Sequence, residues 1–100
     1  MSGIDEPSGQ AWSMDDPPQR TTAYFASKVV LQRPYVTIER CQAVLATPIR
    51  REQQSDGRWR HWGLVTLQGE LGERIMRVVT LADGTLHNAF IDRSFRENDA

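Results

Sequence analysis

The chain has 100 residues, 39% of them apolar and 25% charged, and a net charge of −1, the size and make-up of one small globular domain with a modest core. Its single cysteine, Cys41, excludes an internal disulfide framework and fits a reducing compartment. No apolar run approaches the length of a membrane span, and the first residues lack the basic and apolar regions of a secretory signal; a soluble, cytoplasmic protein with no membrane partner is expected.

The small net charge hides a split. Residues 1–27 carry −3, residues 28–93 carry +3 from ten Lys/Arg against seven Asp/Glu, and residues 94–100 carry −1. Residues 1–22 read as a disordered acidic leader, rich in proline and acids and poor in apolar periodicity. Trp12 stands alone there, either as a docking point or as a tail residue without fixed contacts. Residues 23–96 form a single α+β domain, and residues 97–100 a flexible tail.

Tyr24-Phe25-Ala26 marks the start of order, and Val29-Val30-Leu31 reads as a short strand. Arg33-Pro34 breaks it, because proline disfavours helical geometry in the residue before it. Thr37 is a good helix N-cap, with Glu39 in the first turn where the dipole favours an acid. Ile38, Cys41, Val44 and Leu45 fall on one apolar face of the main amphipathic helix, which Pro48 ends. Cys41 on that stripe is a small buried hydrophobe and not a nucleophile.

A small antiparallel meander follows: Ile49–Gln54, the turn Ser55-Asp56-Gly57, Arg58–Val65, Arg74–Leu81, the turn Asp83-Gly84, and Thr85–Ile91. A two-residue Asp83-Gly84 turn sets Val79 against Asn88, Arg77 against Phe90 and Ile75 against Asp92 on one face. Thr80–His87, Val78–Ala89 and Met76–Ile91 then lie on the other. Both faces are apolar, so this hairpin belongs in mid-sheet with both sides covered. One helix covers one side. The other needs the Tyr24-Phe25 segment, the tail, a protein partner or a second copy in a homodimer. In the first hairpin, a two-residue Asp56-Gly57 turn sets Glu52 opposite His61, favouring a charged imidazole, and Arg51 opposite Trp62 in a cation–π pair. A three-residue turn with a bulge shifts that register.

No His/Cys/acid cluster has metal-ligand spacing, and no glycine-rich loop precedes a helix, so neither metal nor cofactor is expected. What remains is a group of Arg and His on adjacent strands: Arg58, Arg60, His61, Arg77, His87 and Arg93. Such a group suits metal-independent RNA cleavage, in which a base takes the 2′-OH proton and guanidinium groups stabilise charge on the phosphoryl oxygens. Arg58, Arg60, Arg77 and His87 are the candidate phosphate-side groups and His61 the candidate base. Arg58, Trp59, Trp62 and Arg93 are candidates for holding RNA, with the indoles stacking on splayed bases. The same residues equally form stacked cross-strand pairs in a non-catalytic interaction domain.

Arg33-Pro34-Tyr35-Val36-Thr37, the helix to Pro48, Asp56-Gly57-Arg58-Trp59-Arg60-His61-Trp62, Arg77-Val78-Val79 and His87-Asn88-Ala89-Phe90-Ile91-Asp92-Arg93 together resemble a family of short, uncharacterised bacterial proteins. Their layout is similar to the RelE/BrnT-like compact toxins, in which a helix precedes an antiparallel sheet. The resemblance spans residues 28–93 and implies an RNA-cleaving or ribosome-associated activity restrained by a partner antitoxin.

Overall fold

A computed structural model describes residues 19–95. The reading of residues 1–18 as disordered, Trp12 included, and of 97–100 as a tail lies outside the described residues. Two short helices pack on one side of a four-stranded antiparallel sheet. Among the described residues no helix is long and apolar enough to cross a membrane.

The first helix, α1, is π-helical over Phe25–Val29 and α-helical over Val30–Gln32. The strand expected at Val29-Val30-Leu31 is therefore a helix. Phe25 and Val29 sit one turn apart and are fully buried in the core, while Leu31 is exposed. Burial of that helical stripe overrides the strand preference of the β-branched run. The chain before α1 is also engaged. Thr22 Oγ1 accepts from Phe25 N at 3.1 Å, and residues 20–22 run parallel to the strand that begins at Leu86. The expected leader is thus shorter by at least its last four residues.

Helix α2, Ile38–Ala46, forms as the sequence indicates: Thr37 caps it, its side chain accepting from Arg40 N at 3.1 Å. Cys41 and Val44 are buried, and burial pushes the Cys41 thiol up to about 12, as befits a hydrophobe. Ile38 departs from the expected stripe at 41% exposure, because the helix closes on the sheet further along, at Val44 and Gly63. A Cβ at Gly63 would lie 3.0 Å from Val44 Cγ1 and 3.2 Å from Val44 Cα, so glycine lets α2 approach more closely than a side chain would without Val44 giving way by a few tenths of an ångström.

The strands are β1 Arg50–Gln53, β2 Trp59–Val65, β3 Arg74–Thr80 and β4 Leu86–Ile91, in sheet order β1-β2-β3-β4. β4 is consequently an edge and not mid-sheet. Its outward amides are satisfied locally: Leu86 N donates to Arg20 O, Ala89 N to Asn88 Oδ1 and Ile91 N to the Tyr35 hydroxyl. Such capping protects an edge strand against pairing with another chain.

Both hairpins turn through three residues and not two, with glycine at positive φ in the last position: Gly57 at 94° and Gly84 at 93°. In β1–β2 this slips the expected register by one, giving Arg50↔Trp62, Arg51↔His61 and Glu52↔Arg60. In β3–β4 a bulge beside Thr80 absorbs the extra residue. Thr80 pairs with Leu86 and not His87, yet Val79↔Asn88, Val78↔Ala89, Arg77↔Phe90 and Met76↔Ile91 all stand as expected. His87 is the residue left over.

Candidate functional site on the helix-free face

Alternation along the strands divides the candidate residues between two faces. Trp59, His61, Met76, Val78 and Ala89 point to the helices; Arg60, Trp62, Leu64, Ile75, Arg77, Val79 and Phe90 point away. The four residues named for catalysis therefore do not converge. Arg60 and Arg77 lie on the helix-free face, His61 on the other, and His87 at the β4 bulge.

His61 is buried, its Nε2 3.0 Å from Thr80 Oγ1. Burial, reinforced by the nearby Arg51, pushes its imidazole down to about 4. The expectation of a charged His61 beside Glu52 is reversed, because the register slip sets Arg51 there. His87 Nδ1 lies 3.1 Å from Thr22 Oγ1 and its ring packs on Tyr24 at 5.3 Å; burial, then Arg58, lower its pKa.

The helix-free face carries a row of interleaved cations and rings, Arg50–Trp62–Arg77–Phe90. The Arg50 guanidinium lies 5.7 Å from the Trp62 ring, and that of Arg77 lies 5.4 Å from Trp62 and 4.8 Å from Phe90. Phe95 stacks on Trp62 at 5.5 Å, so the stretch after β4 covers part of this face. The expected Arg51–Trp62 pair is replaced by Arg50–Trp62 and, on the other face, by Arg51 4.5 Å from Trp59.

Asp92 organises this row. One carboxylate oxygen accepts from Trp62 Nε1 at 2.9 Å and from Arg77 Nη2 and Nε at 2.9 and 3.2 Å; the other accepts from Ser94 N and Oγ at 3.0 and 2.8 Å. Burial opposes its ionisation, but these hydrogen bonds outweigh burial and hold the carboxyl well below the usual range. In the neighbouring row Glu52 takes Arg50 at 2.6 Å and Arg60 at 3.9 Å. The arginines of this face are thus committed to carboxylates of the same face. Leu64, 48% exposed, and the half-buried Ile75 and Phe90 supply its apolar surface.

A cleft of about 610 Å³ opens beside Phe90, lined among others by Tyr35, Leu67, Arg74, Arg77 and Arg93. Arg93 is exposed there, while Asp92 turns to Arg77. Arg58 is exposed and held by Asp56 at 3.7 Å. Trp62 is only 5% exposed, so its ring is already stacked from within the chain. Among the described residues no group of three His, Cys, Asp or Glu side chains could hold a metal.

Sequence reasoning offered Asp92 to Arg93 and missed it as the partner of Arg77; it also missed Glu52 as the partner of Arg50 and Arg60, and Phe95 as a ring beside Arg50. The pairing of Ile75 with Asp92 was the available signal, since it sets the carboxylate two residues along the strand from Phe90 and so on the face of Arg77. No family model, no curated protein and no solved structure matches this chain.

Proposed function

We propose that this chain is a non-catalytic interaction domain that pairs with a second copy of itself through the helix-free face of its sheet. The observation that carries this reading is the exposed Leu64 with the half-buried Ile75 and Phe90 among arginines already neutralised by Glu52 and Asp92. Single-stranded RNA is held by uncommitted cations and open aromatic faces; this face offers paired guanidinium groups and a buried Trp62. Aromatic and Arg side chains around an apolar centre are instead the composition of protein interfaces. With three guanidinium groups against two carboxylates, two copies meet with little net repulsion, and a two-fold interface brings the same mixed-charge patch of both copies together.

Four strands about 4.8 Å apart, of four, seven, seven and six residues, present a footprint of roughly 400 Å². That is small against the ~800 Å² per partner of a standard interface, so the dimer is weak and concentration-dependent. Sedimentation velocity over a concentration series tests it. The native chain shifts toward dimer as concentration rises, and Leu64→Glu, at an exposed site, stays monomeric with its fold intact. A native chain that remains monomeric throughout refutes the proposal. Salt-dependent retention of RNA by the monomer, lost in Arg60→Ala, supports the nucleic-acid reading in its place.

A further inference from the structure

The loop between β2 and β3, residues 66–73, carries a large apolar side chain wholly in solvent: Leu71 is fully exposed. Its neighbours hold it there. Glu70 N donates to Leu67 O at 3.1 Å, and Arg74 Nη1 donates to the two carboxylate oxygens of Glu70 at 3.0 and 3.2 Å. Gly69 and Gly72, at φ of 83° and 90°, carry the chain sharply around Glu70-Leu71. A single exposed leucine is common on protein surfaces. This one stands beside a cavity that suits a leucine.

Glu70 and Arg74, which flank Leu71 in sequence, both line the cleft of about 610 Å³ that continues the helix-free face past Phe90. The apolar part of its wall is Tyr35, Leu67, Phe90 and Ile91, all half-buried. The Tyr35 hydroxyl accepts from Ile91 N at 3.2 Å, which fixes that ring against β4. Leu71, being exposed in full, does not enter the cleft of its own chain. Charge is distributed in the same complementary way. Glu73 on the loop and Arg93 at the cleft are exposed, and among the described residues neither forms an ion pair. One surface thus carries an apolar knob with an unpaired acid and, next to it, an apolar hole with an unpaired cation.

We propose that Leu71 of each copy inserts into the Phe90 cleft of the other, so that two reciprocal insertions anchor the dimer; this rests on the self-pairing of the helix-free face and names its anchor. Self-complementarity favours a second copy over a different protein, because an isologous two-fold interface needs knob and hole side by side on one surface. Reciprocal insertion also extends a flat face that alone reaches about half of a standard interface. Burial of leucine supplies the affinity. Glu73 facing Arg93 at the rim selects the orientation and adds little strength.

Sedimentation velocity over a concentration series, run on the full native chain, on Leu71→Ser and on Leu64→Glu, tests the insertion. Because Leu71 is fully exposed, Leu71→Ser keeps the native fold, which circular dichroism checks. The native chain dimerises, and Leu71→Ser weakens the dimer by roughly tenfold per insertion, about a hundredfold for the pair. In a mixture of isotope-labelled and unlabelled native chain, filtered NMR spectra show Overhauser contacts from the Leu71 methyls of one copy to the Phe90 ring of the other. If the native chain dimerises and Leu71→Ser does so within about twofold of it, the insertion is overturned while the pairing of the face stands, which Leu64→Glu reports separately. A dimer without the Leu71–Phe90 contact overturns the insertion as well. A native chain that stays monomeric at every concentration removes the face reading and the insertion together.

Discussion

Asp92→Ala is the most informative single change, because one carboxylate holds three groups. Its removal orphans the Trp62 indole N–H, frees Ser94, and leaves the Arg77 guanidinium without the one carboxylate it meets among the described residues, at a side chain just 25% exposed. Breaking a buried ion pair by deleting one partner costs about 3–5 kcal/mol, and an unsatisfied buried donor about 1–3 kcal/mol. The two overlap, and Arg77 recovers some hydration through its exposed part, so the expected loss is about 3–4 kcal/mol. Set against a total of roughly 5–15 kcal/mol for a small domain, that is a large fraction. Urea unfolding followed by tryptophan emission reads it directly. At a denaturant dependence of roughly 1.5 kcal/mol/M, the midpoint falls by about 2–3 M. Asp92→Asn keeps an acceptor of the same shape but not the charge, and loses less. The native chain also carries a matching acid dependence. With the folded carboxyl held below its unfolded value of about 4, the stabilisation is complete above that pH and is lost as pH falls below it. A midpoint for Asp92→Ala within about 0.5 M of native would refute the assignment of Asp92 as organiser of this face.

Gly63→Ala drives a methyl group against Val44, including its backbone, and costs about 1–3 kcal/mol; thermal unfolding shows a drop of about 4–8 °C per kcal/mol for a domain of this size. An unchanged melting temperature would mean that α2 does not sit on the sheet at this point. His61 is neutral in the folded chain, its pKa down at about 4 against 6.5 when unfolded. Its contribution is therefore complete above about pH 6.5 and erodes as pH falls toward 4, because the unfolded chain takes up the proton first. Proton NMR of the His61 ring reads the midpoint, and a value near 6.5 would show an imidazole open to water.

Local rules located the strands and α2 within a residue or two. Thr37 and Pro48 bound α2 through capping and proline chemistry that act over a few residues, and alternation in β2 and β3 follows from a period of two. The stretch at Val29-Val30-Leu31 resisted because its conformation is decided by contacts distant in sequence. Phe25 and Val29 bury against residues more than fifty positions away, and no local preference reports that. Gly63 was silent for the same reason: its role appears only when Val44 is set above it.

The chemistry of the β1–β2 hairpin depended on one torsion angle. Asp56-Gly57 and Asp83-Gly84 look alike in sequence, and both turns close over three residues with the glycine at positive φ. After Gly84, the bulge at His87 returns β4 to the register that a two-residue turn would have given, so Arg77 meets Phe90 by either route. After Gly57 nothing compensates. The slip takes Glu52 from His61 to Arg60, brings Arg51 to His61, and sets Arg50 on Trp62. A charged imidazole beside an acid thereby becomes a neutral imidazole beside a guanidinium, and Arg60 becomes the cross-strand neighbour of Glu52. In a strand that alternates cation and ring, one residue of register decides which cation meets which ring or acid, and the turn with its positive-φ glycine sets that register.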